Sequence, residues 1–277
     1  MPPHAGGGRL KGHKTGKIKF DSLDMENFET FFSELYDNKH KTLTAVAKDE
    51  FLKIADELNC KNIKSTESIE MDSPITLEEV KKTIDSLKSG KASSDDMIVN
   101  ELLKLLNDDN ISLLTDLLNY CYDNHHYPWN TNIITPLHKK GSKDDPDNYR
   151  AISVSSVIGK LFSAILLNRF IIFRSSSCPD PPNQLGFTKN AQTYDHILTL
   201  QTISDKYKYN KAPVYATFVD FKKAFDSVSR EALFLKLSQV NCSGKFYDIL
   251  RDMYGNSIGR IKLAGHLSNP FSNQKRD

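Results

Sequence analysis

The sequence predicts an α+β fold, and three observations support this. Helical patterns of apolar residues cover most of the chain, short runs of β-branched and aromatic residues fall between them, and no internal repeat is visible. Strands with intervening helices favour an α+β arrangement. The chain has 277 residues, of which 39% are hydrophobic and 26% charged, so it has ample material for a core and an ordinary globular composition.

The N-terminal quarter combines a basic segment with a helical pattern. Residues 1–20 carry five basic side chains and no acid, although the net charge of the whole chain is only +2. Residues 1–27 are predicted to be a disordered basic tail. Basic tails bind nucleic acid in some proteins, but in a larger number of proteins they have no specific role. Residues 28–73 are predicted to be a helical segment and a polar linker, because phenylalanines recur at helical spacing from Phe28 and a second apolar run covers residues 51–55.

A capping box marks the start of the next helix. Thr76 and Glu79 have the spacing at which each side chain satisfies a backbone amide of the other. The apolar positions that follow have helical spacing, and Gly90 predicts the end of the helix. A leucine-rich helical pattern then continues to Tyr120 and is broken at Pro128.

The central part of the chain predicts one strand and one helix. Residues 133–137 have strand character, and Pro136 places this strand at a sheet edge or strand end because proline has no N–H to donate. Residues 138–148 predict a charged loop. An amphipathic helix is then expected from Val157 to Leu166, followed by a connector over residues 174–183.

The C-terminal part predicts a strand that ends on an acid. A helix over residues 191–207 precedes a run of strand-forming residues, 214–219, which delivers Asp220 to its end. Helices are expected near residues 229–239 and 243–254, and a final strand over residues 258–263 with a turn at Gly265.

Cysteine usage and the N-terminus indicate an intracellular protein, nuclear or cytoplasmic. The four cysteines are far apart and form no C-x-x-C pair, which favours a reducing compartment over a disulfide framework or a zinc site. No apolar run is long enough to span a membrane, and residues 1–8 lack the apolar region of a signal peptide.

The strongest chemical signal is the stretch Phe218 to Val228. An acid at the end of a buried strand requires a cation or a donor. Carboxylate oxygen at a rigid position suits a hard cation such as Mg²⁺, and the Phe221 carbonyl could be a further ligand. The alternative for Asp220 is a capping aspartate at the start of a helix. Asp226 is interpreted as a structural residue that accepts a backbone hydrogen bond or caps a helix.

This stretch resembles the A motif of reverse transcriptases from non-LTR (LINE-type) retrotransposons. Three earlier blocks also resemble that family, in the same order: residues 75–104, residues 135–153 with the sequence Asn-Tyr-Arg-Ala-Ile-Ser, and residues 183–187 with the sequence Asn-Gln-Leu-Gly-Phe. The sequence departs from the family pattern in two places. Ser93-Ser94-Asp95 replaces Pro-Gly-Pro, and Ala151 replaces a proline.

The resemblance implies the fingers and an incomplete palm of a right-hand polymerase. Residues 74–210 would be the pre-fingers and fingers region, and residues 211–277 a partial palm with the A motif. The implied activity is RNA-directed DNA synthesis from dNTPs on an RNA template with a DNA primer. The implied reaction is two-metal nucleotidyl transfer with Mg²⁺ or Mn²⁺.

The resemblance also assigns roles to single residues. Asp220 is the catalytic carboxylate and, with the Phe221 carbonyl, a metal ligand. Phe225 occupies the place of the steric gate, the aromatic ring that excludes a ribonucleotide 2′-hydroxyl, with core packing as the alternative. Arg150 would contact the triphosphate. Lys160 would contact the nucleotide or, as the alternative, only solvent. Primer and template would be contacted by Gln184, Gly186 and Phe187.

Two later motifs of that family are not found after Asp226, namely a Gln-Gly segment and an aromatic-x-Asp-Asp hairpin. The expectation is therefore a fragment that is inactive alone, because one carboxylate cannot hold two divalent ions. An alternative is a non-catalytic RNA- or DNA-binding module derived from a reverse transcriptase. A third hypothesis, an unrelated phosphotransferase using Asp220, lacks a glycine-rich phosphate loop.

Overall fold

Nine helices and five strands form a mixed α+β fold in the computed structural model, which describes residues 24–36, 53, 69–94, 96–177, 183–188, 190–221, 224–225 and 228–272. The helices are α1 (Met25–Tyr36), α2 (Ile69–Asp72), α3 (Leu77–Ser86), α4 (Asn100–Lys104), α5 (Asp108–Asp123), α6 (Val157–Ser177), α7 (Thr193–Tyr209), α8 (Arg230–Gln239) and α9 (Lys245–Gly255). The strands are β1 (Thr131–His138), β2 (Tyr149–Val154), β3 (Ile258–Leu263), β4 (His266–Leu267) and β5 (Phe271–Ser272), and a 3-10 turn, Pro146–Asn148, precedes β2.

The strands form one sheet in the order β2-β1-β3-β4, with β5 also paired to β3. β1 is antiparallel to β2 and parallel to β3. The pairing of β1 with β3 ends at Ile134, whereas its pairing with β2 continues through Pro136 to His138. Among the described strands, only β2 therefore pairs with β1 at Pro136, as its missing N–H predicts.

The capping box predicted at Thr76 is present and begins α3. The Glu79 amide donates to Thr76 Oγ1 at 3.2 Å, and the Thr76 amide donates to Glu79 Oε2 at 2.9 Å. Val80 and Ile84 of α3 are buried. Local capping and apolar spacing therefore account for this helix.

A helical core gathers α2, α3, α5, α6 and α9. Its largest fully buried side chains are Tyr122, Phe162, Met71, Leu118, Leu161, Ile165, Leu166 and Ile249. Met71 corrects the sequence interpretation, in which the helical segment of residues 28–73 ended in a polar linker. Met71 contributes instead to the core, and Asp72 contributes to the start of α9, since its carboxylate accepts a hydrogen bond of 2.9 Å from the Phe246 amide.

Arg169 of α6 ties the segment around α2 and α3 to this core. Its guanidinium forms a bidentate ion pair with Glu79, with N–O distances of 2.8 and 2.9 Å. It also donates to the carbonyl oxygen of Met71 in α2 and to those of Ser73 and Pro74 in the connection between α2 and α3. All five N–H donors of the side chain are thereby used, which is what a guanidinium with 7% exposure requires.

Gly159 allows α6 to approach the segment before β1. A Cβ atom at this position would lie 2.6 Å from Tyr127 Oη and 2.7 Å from Trp129 Cβ. We expect Gly159→Ala to lower the free energy of unfolding by about 1–3 kcal/mol through overpacking. This holds although alanine favours a helix by about 1 kcal/mol over glycine. Urea denaturation measures the change. Gly255→Ala is the control, because a Cβ there meets open space, and equal stability of both variants would contradict the prediction.

A second core lies between α1 and one face of the sheet. Phe28 and Phe32 are buried against Ile134 of β1 and Ile261 of β3. The rings of Phe28 and Tyr149 meet edge to face with centroids 4.9 Å apart. The helical pattern predicted from Phe28 is thus confirmed, and its apolar side covers the sheet.

The strand predicted over residues 214–219 is wrong. Residues 212–221 have no regular secondary structure and no described strand pairs with them. Val219 is 76% exposed and Phe218 is 81% exposed. The physical reason is that strand-forming residues become a strand only when a neighbouring strand takes their backbone hydrogen bonds.

Several expectations lie outside the described residues: residues 1–23 of the basic tail, residues 51, 52, 54 and 55 of the second apolar run, and Asp226. The predicted end of the disordered tail at residue 27 is wrong, because residues 25–27 belong to α1. The other predicted helices and the final strand are confirmed, with α6 extending further than its apolar pattern indicated. None of the described helices has both the length and the apolar character to cross a bilayer.

Candidate active site

The A-motif segment, defined here as residues 212–225, follows α7 in the chain, and its residues as far as Asp220 and Phe221 are exposed. α7 itself buries no residue, although it carries Ile197, Leu198, Leu200 and Ile203. Tyr215 is 91% exposed and Phe221 is 74% exposed. The segment therefore presents its acid and its aromatic rings to solvent rather than to the core.

Asp220 is an exposed carboxylate at the end of this segment. Within the described residues no ion pair involves it, and no group of three or more His, Cys, Asp or Glu side chains could hold a metal ion. Asp220 therefore supplies one hard oxygen ligand, and the described residues do not by themselves complete a metal site.

Phe225 lies in a turn five residues after Asp220 and is 80% exposed. Its ring meets the ring of Phe187 edge to face, with centroids 6.2 Å apart and an interplanar angle of 90°. This is a favoured geometry for an aromatic pair. The contact joins the A motif to the Gln-Leu-Gly-Phe motif.

The Gln-Leu-Gly-Phe motif forms a closed turn. The Thr188 amide donates to the Leu185 carbonyl at 3.3 Å, and Thr188 Oγ1 donates to the Gln184 carbonyl at 2.7 Å. Gln184 Nε2 donates to the Gly186 carbonyl at 3.2 Å. These bonds hold the four residues of the motif in one conformation.

Phe187 has a left-handed backbone, with φ of +62°. It is the third residue of the turn that the Thr188–Leu185 bond closes, a place where positive φ is usually met by glycine or asparagine. Gly186, immediately before it, is not among the glycines with positive φ. The left-handed conformation costs a non-glycine residue about 1–2 kcal/mol. The turn holds Phe187 in this conformation with its ring 85% exposed.

Arg150 and Lys160 lie on other elements. Arg150 is exposed on β2, opposite Leu137 of β1. The neighbouring residue, Tyr149, contacts Phe28 of α1. Because side chains alternate between the two faces along a strand, Arg150 lies on the sheet face away from α1. Lys160 is half-buried near the start of α6.

The loop between β1 and β2 has a fixed shape. Tyr149 donates from its hydroxyl to the Lys143 carbonyl at 2.9 Å, and Asn148 Nδ2 donates to the Ser142 carbonyl at 3.0 Å. A Cβ atom on Gly141 would collide with the Asn148 side chain. Lys139 and Lys140 are exposed on this loop.

The structure thus brings two of the predicted site residues, Phe187 and Phe225, into contact. No ion pair joins Arg150 or Lys160 to Asp220 among the described residues. Sequence reasoning gave Phe187 a role toward primer and template and missed its contact with Phe225. No local pattern in the sequence indicates a contact between residues that are separated by 37 intervening positions. The one available signal was a phenylalanine that directly follows a glycine in a short turn.

Comparisons with known proteins agree with the motifs. Residues 137–275 match the family model described as reverse transcriptase (RNA-dependent DNA polymerase). The RNA-directed DNA polymerase from mobile element jockey of Drosophila melanogaster is 29% identical over 199 residues, which cover 71% of this chain and 22% of that protein. The probable RNA-directed DNA polymerase from transposon BS of the same species is 30% identical over 205 residues, covering 71% of this chain and 22% of that protein.

The relatives extend to another element. A Pol polyprotein from type-1 retrotransposable element R2 of Bradysia coprophila is 27% identical over 133 residues, covering 48% of this chain and 15% of that protein. The chain spans about a fifth of the length of the first two relatives. Its family match begins at Leu137 and includes β2, the Gln-Leu-Gly-Phe turn and the A motif. The chain therefore belongs to the reverse transcriptase (RNA-dependent DNA polymerase) family, and its resemblance to the enzymes of non-LTR retrotransposons is confirmed.

Proposed function

We propose that this chain is the nucleotide- and template-positioning part of an RNA-directed DNA polymerase of a non-LTR retroelement, with Asp220 as a catalytic carboxylate. The observation that carries the proposal is the exposed A-motif segment. It presents Asp220, Phe221 and Phe225 to solvent, and Phe225 touches the neighbouring Gln-Leu-Gly-Phe turn. A polymerase needs its acid and its sugar-sensing ring accessible to an incoming nucleotide.

The proposed reaction is nucleotidyl transfer. The primer 3′-oxygen loses its proton and attacks the α-phosphorus of a dNTP, the bond from that phosphorus to the β-phosphate oxygen breaks, and pyrophosphate leaves. Catalysis of such a step is mostly positioning and charge stabilisation. The chain's part is to hold the sugar against Phe225 and the triphosphate near Arg150, whose planar guanidinium suits phosphate oxygens.

The proposed metal ligands are the Asp220 carboxylate and the Phe221 carbonyl. Divalent Mg²⁺ or Mn²⁺ would stabilise the attacking and leaving oxygens when bound. Two protein oxygens are too few to hold two such ions against their hydration, so further ligands must come from residues other than those described. The exposure of Asp220 and Phe221 supports this role.

The proposed architecture assigns residues 74–210 to the pre-fingers and fingers and residues 211–277 to part of the palm. The β1–β2 hairpin would be the fingers element that carries Arg150. β3 follows the A motif in sequence yet pairs with β1, so the sheet joins the two regions. Gln184 and Gly186 form the turn that would contact primer and template.

A test of the proposal uses sugar selection. The assay enzyme is a chimera in which these 277 residues are continued by the region that follows the matched segment in the jockey polymerase. Phe225→Ala should raise the use of ribonucleotides relative to deoxynucleotides on a primed RNA template, because the ring that excludes the 2′-hydroxyl is removed. The readout is the ratio of the two kcat/KM values, from which a general loss of activity cancels.

The matched control is Tyr215→Ala, which removes another exposed ring from the same segment. This variant should leave the ratio unchanged. If Phe225→Ala lowers the use of both nucleotide types equally, Phe225 is a packing residue and the nucleotide-site assignment fails.

A further inference from the structure

We propose that Phe187 is a positioning residue for the sugar-sensing ring of Phe225 and thereby helps set the discrimination against ribonucleotides. The inference rests on the proposed function, since it takes Phe225 as the ring that meets the sugar. It adds a residue from a different motif to the specificity of the same site. Phe187 acts here through another side chain and does not touch the reacting atoms.

The contact between the two rings is the first support. Phe225 is 80% exposed, so its ring has solvent on most sides and few neighbours to fix its direction. The ring of Phe187 meets it at 90° with a centroid distance of 6.2 Å. In the edge-to-face geometry the positive edge of one ring faces the negative face of the other. This attraction favours one rotamer of the Phe225 side chain over its other rotamers.

The backbone of Phe187 is the second, independent support. At φ of +62° the residue holds a conformation that glycine adopts without strain. A large apolar side chain held in a strained conformation and 85% exposed gains little from its own packing. Contact with the Phe225 ring is an interaction that accounts for a phenylalanine at this strained position.

The surroundings of Phe187 make it a firm support. Thr188 closes the turn with two hydrogen bonds, one from its amide and one from its hydroxyl. Gln184 adds a third from its side chain. A ring carried on a turn that is bonded on both sides of it moves less than a ring on an open segment, so it can restrict its partner.

A first experiment tests the contact in the 277-residue chain itself, without catalysis. Phe225 is replaced by 4-fluorophenylalanine and its ¹⁹F resonance is recorded. Phe187→Gly should shift the resonance, because the ring current of the partner is lost while the left-handed turn is kept. Tyr215→Ala, which removes a 91% exposed ring of the same segment, should not shift it. An unchanged resonance in Phe187→Gly overturns the proposal whatever the activity of the enzyme.

A second experiment measures discrimination in the chimeric polymerase. Phe187→Gly should raise ribonucleotide use relative to deoxynucleotide use by about two- to tenfold, the factor that corresponds to one aromatic pair. Phe187→Tyr keeps the ring and should keep the ratio. The double variant Phe187→Gly/Phe225→Ala should discriminate no worse than Phe225→Ala alone, because both changes act through one ring.

The outcomes separate this inference from the proposed function. If Phe225→Ala relaxes discrimination but Phe187→Gly only weakens template binding, Phe187 is a template contact; the inference fails and the proposed function stands. If neither variant changes the ratio, the nucleotide-site assignment itself fails and the inference with it. Relaxed discrimination in both, with template affinity unchanged in Phe187→Gly, supports both.

Discussion

Asp220→Asn is expected to abolish DNA synthesis by the chimeric polymerase while leaving template affinity nearly unchanged. The substitution removes a negative charge but keeps the shape of an exposed side chain, so the loss falls on the chemical step. A drop in kcat of about a hundredfold to a thousandfold is the scale on which one charge-stabilising group acts. Primer extension on RNA measures kcat, and a filter-binding titration measures template affinity.

The control for this prediction is Asp205→Asn, which neutralises an exposed acid on α7. It should leave both synthesis and template binding as they are in the parent chimera. Synthesis that persists in Asp220→Asn would show that the A motif is misaligned and that another acid provides the ligand.

Arg169→Met is expected to destabilise the 277-residue chain by at most about 3–5 kcal/mol, the cost of removing one partner of a fully buried ion pair, because the Glu79 side chain keeps 33% of its surface in solvent. The substitution leaves the Glu79 carboxylate without its bidentate partner and three carbonyl oxygens without their donor. Such a loss is a large part of the stability of an ordinary domain, about 5–15 kcal/mol. Urea denaturation followed by circular dichroism measures the change.

The control is Lys82→Met on α3, which removes an exposed cation from the same helix as Glu79. It should change stability little. Where Arg169→Met fails to fold, Arg169→Lys keeps the charge but loses the bidentate geometry and should show an intermediate loss. Stability equal to the parent in both Arg169 variants would mean that this network contributes nothing.

The same ion pair predicts a pH dependence. Burial by itself would raise the pKa of Glu79, but the hydrogen bonds from Arg169 and Thr76 and the charge of Arg169 outweigh it, so the pKa lies below its ordinary value of 4.5. A depressed folded-state pKa stabilises the fold above the ordinary value, and this stabilisation is lost as the pH falls through the folded pKa. Glu79→Gln should remove this part of the acid dependence.

Local signals in the sequence predicted much of this fold. The capping box at Thr76, the apolar spacing of α6 and the turn at Gly265 depend on residues within a few positions of each other, so a single chain reveals them. Pro136 is likewise a local signal, because its lack of an N–H predicts that β1 is paired on one side only at this position. The motifs predicted the family because their order along the chain is itself a sequence property.

Features that depend on distant partners were not predictable. Residues 214–219 have the composition of a strand, but composition does not say whether a neighbouring strand is present. Arg169 resembled any helix cation until the structure placed Glu79 against it. Phe187 and Phe225 meet only because two loops converge. In each case the missing information was a long-range contact.

The parallel pairing of β1 with β3 has a consequence for the order in which the chain folds. Thr131 pairs with Ile258, so nearly half of the chain lies in the loop that this pairing closes. Such a loop loses more entropy on closure than a hairpin does, and sheets of this kind form slowly. On the ribosome β1 and β2 leave the exit tunnel long before β3, and Asp220 lies within the closing loop. The proposed nucleotide site should therefore be completed late in the synthesis of the chain, after the hairpin that carries Arg150 has already formed.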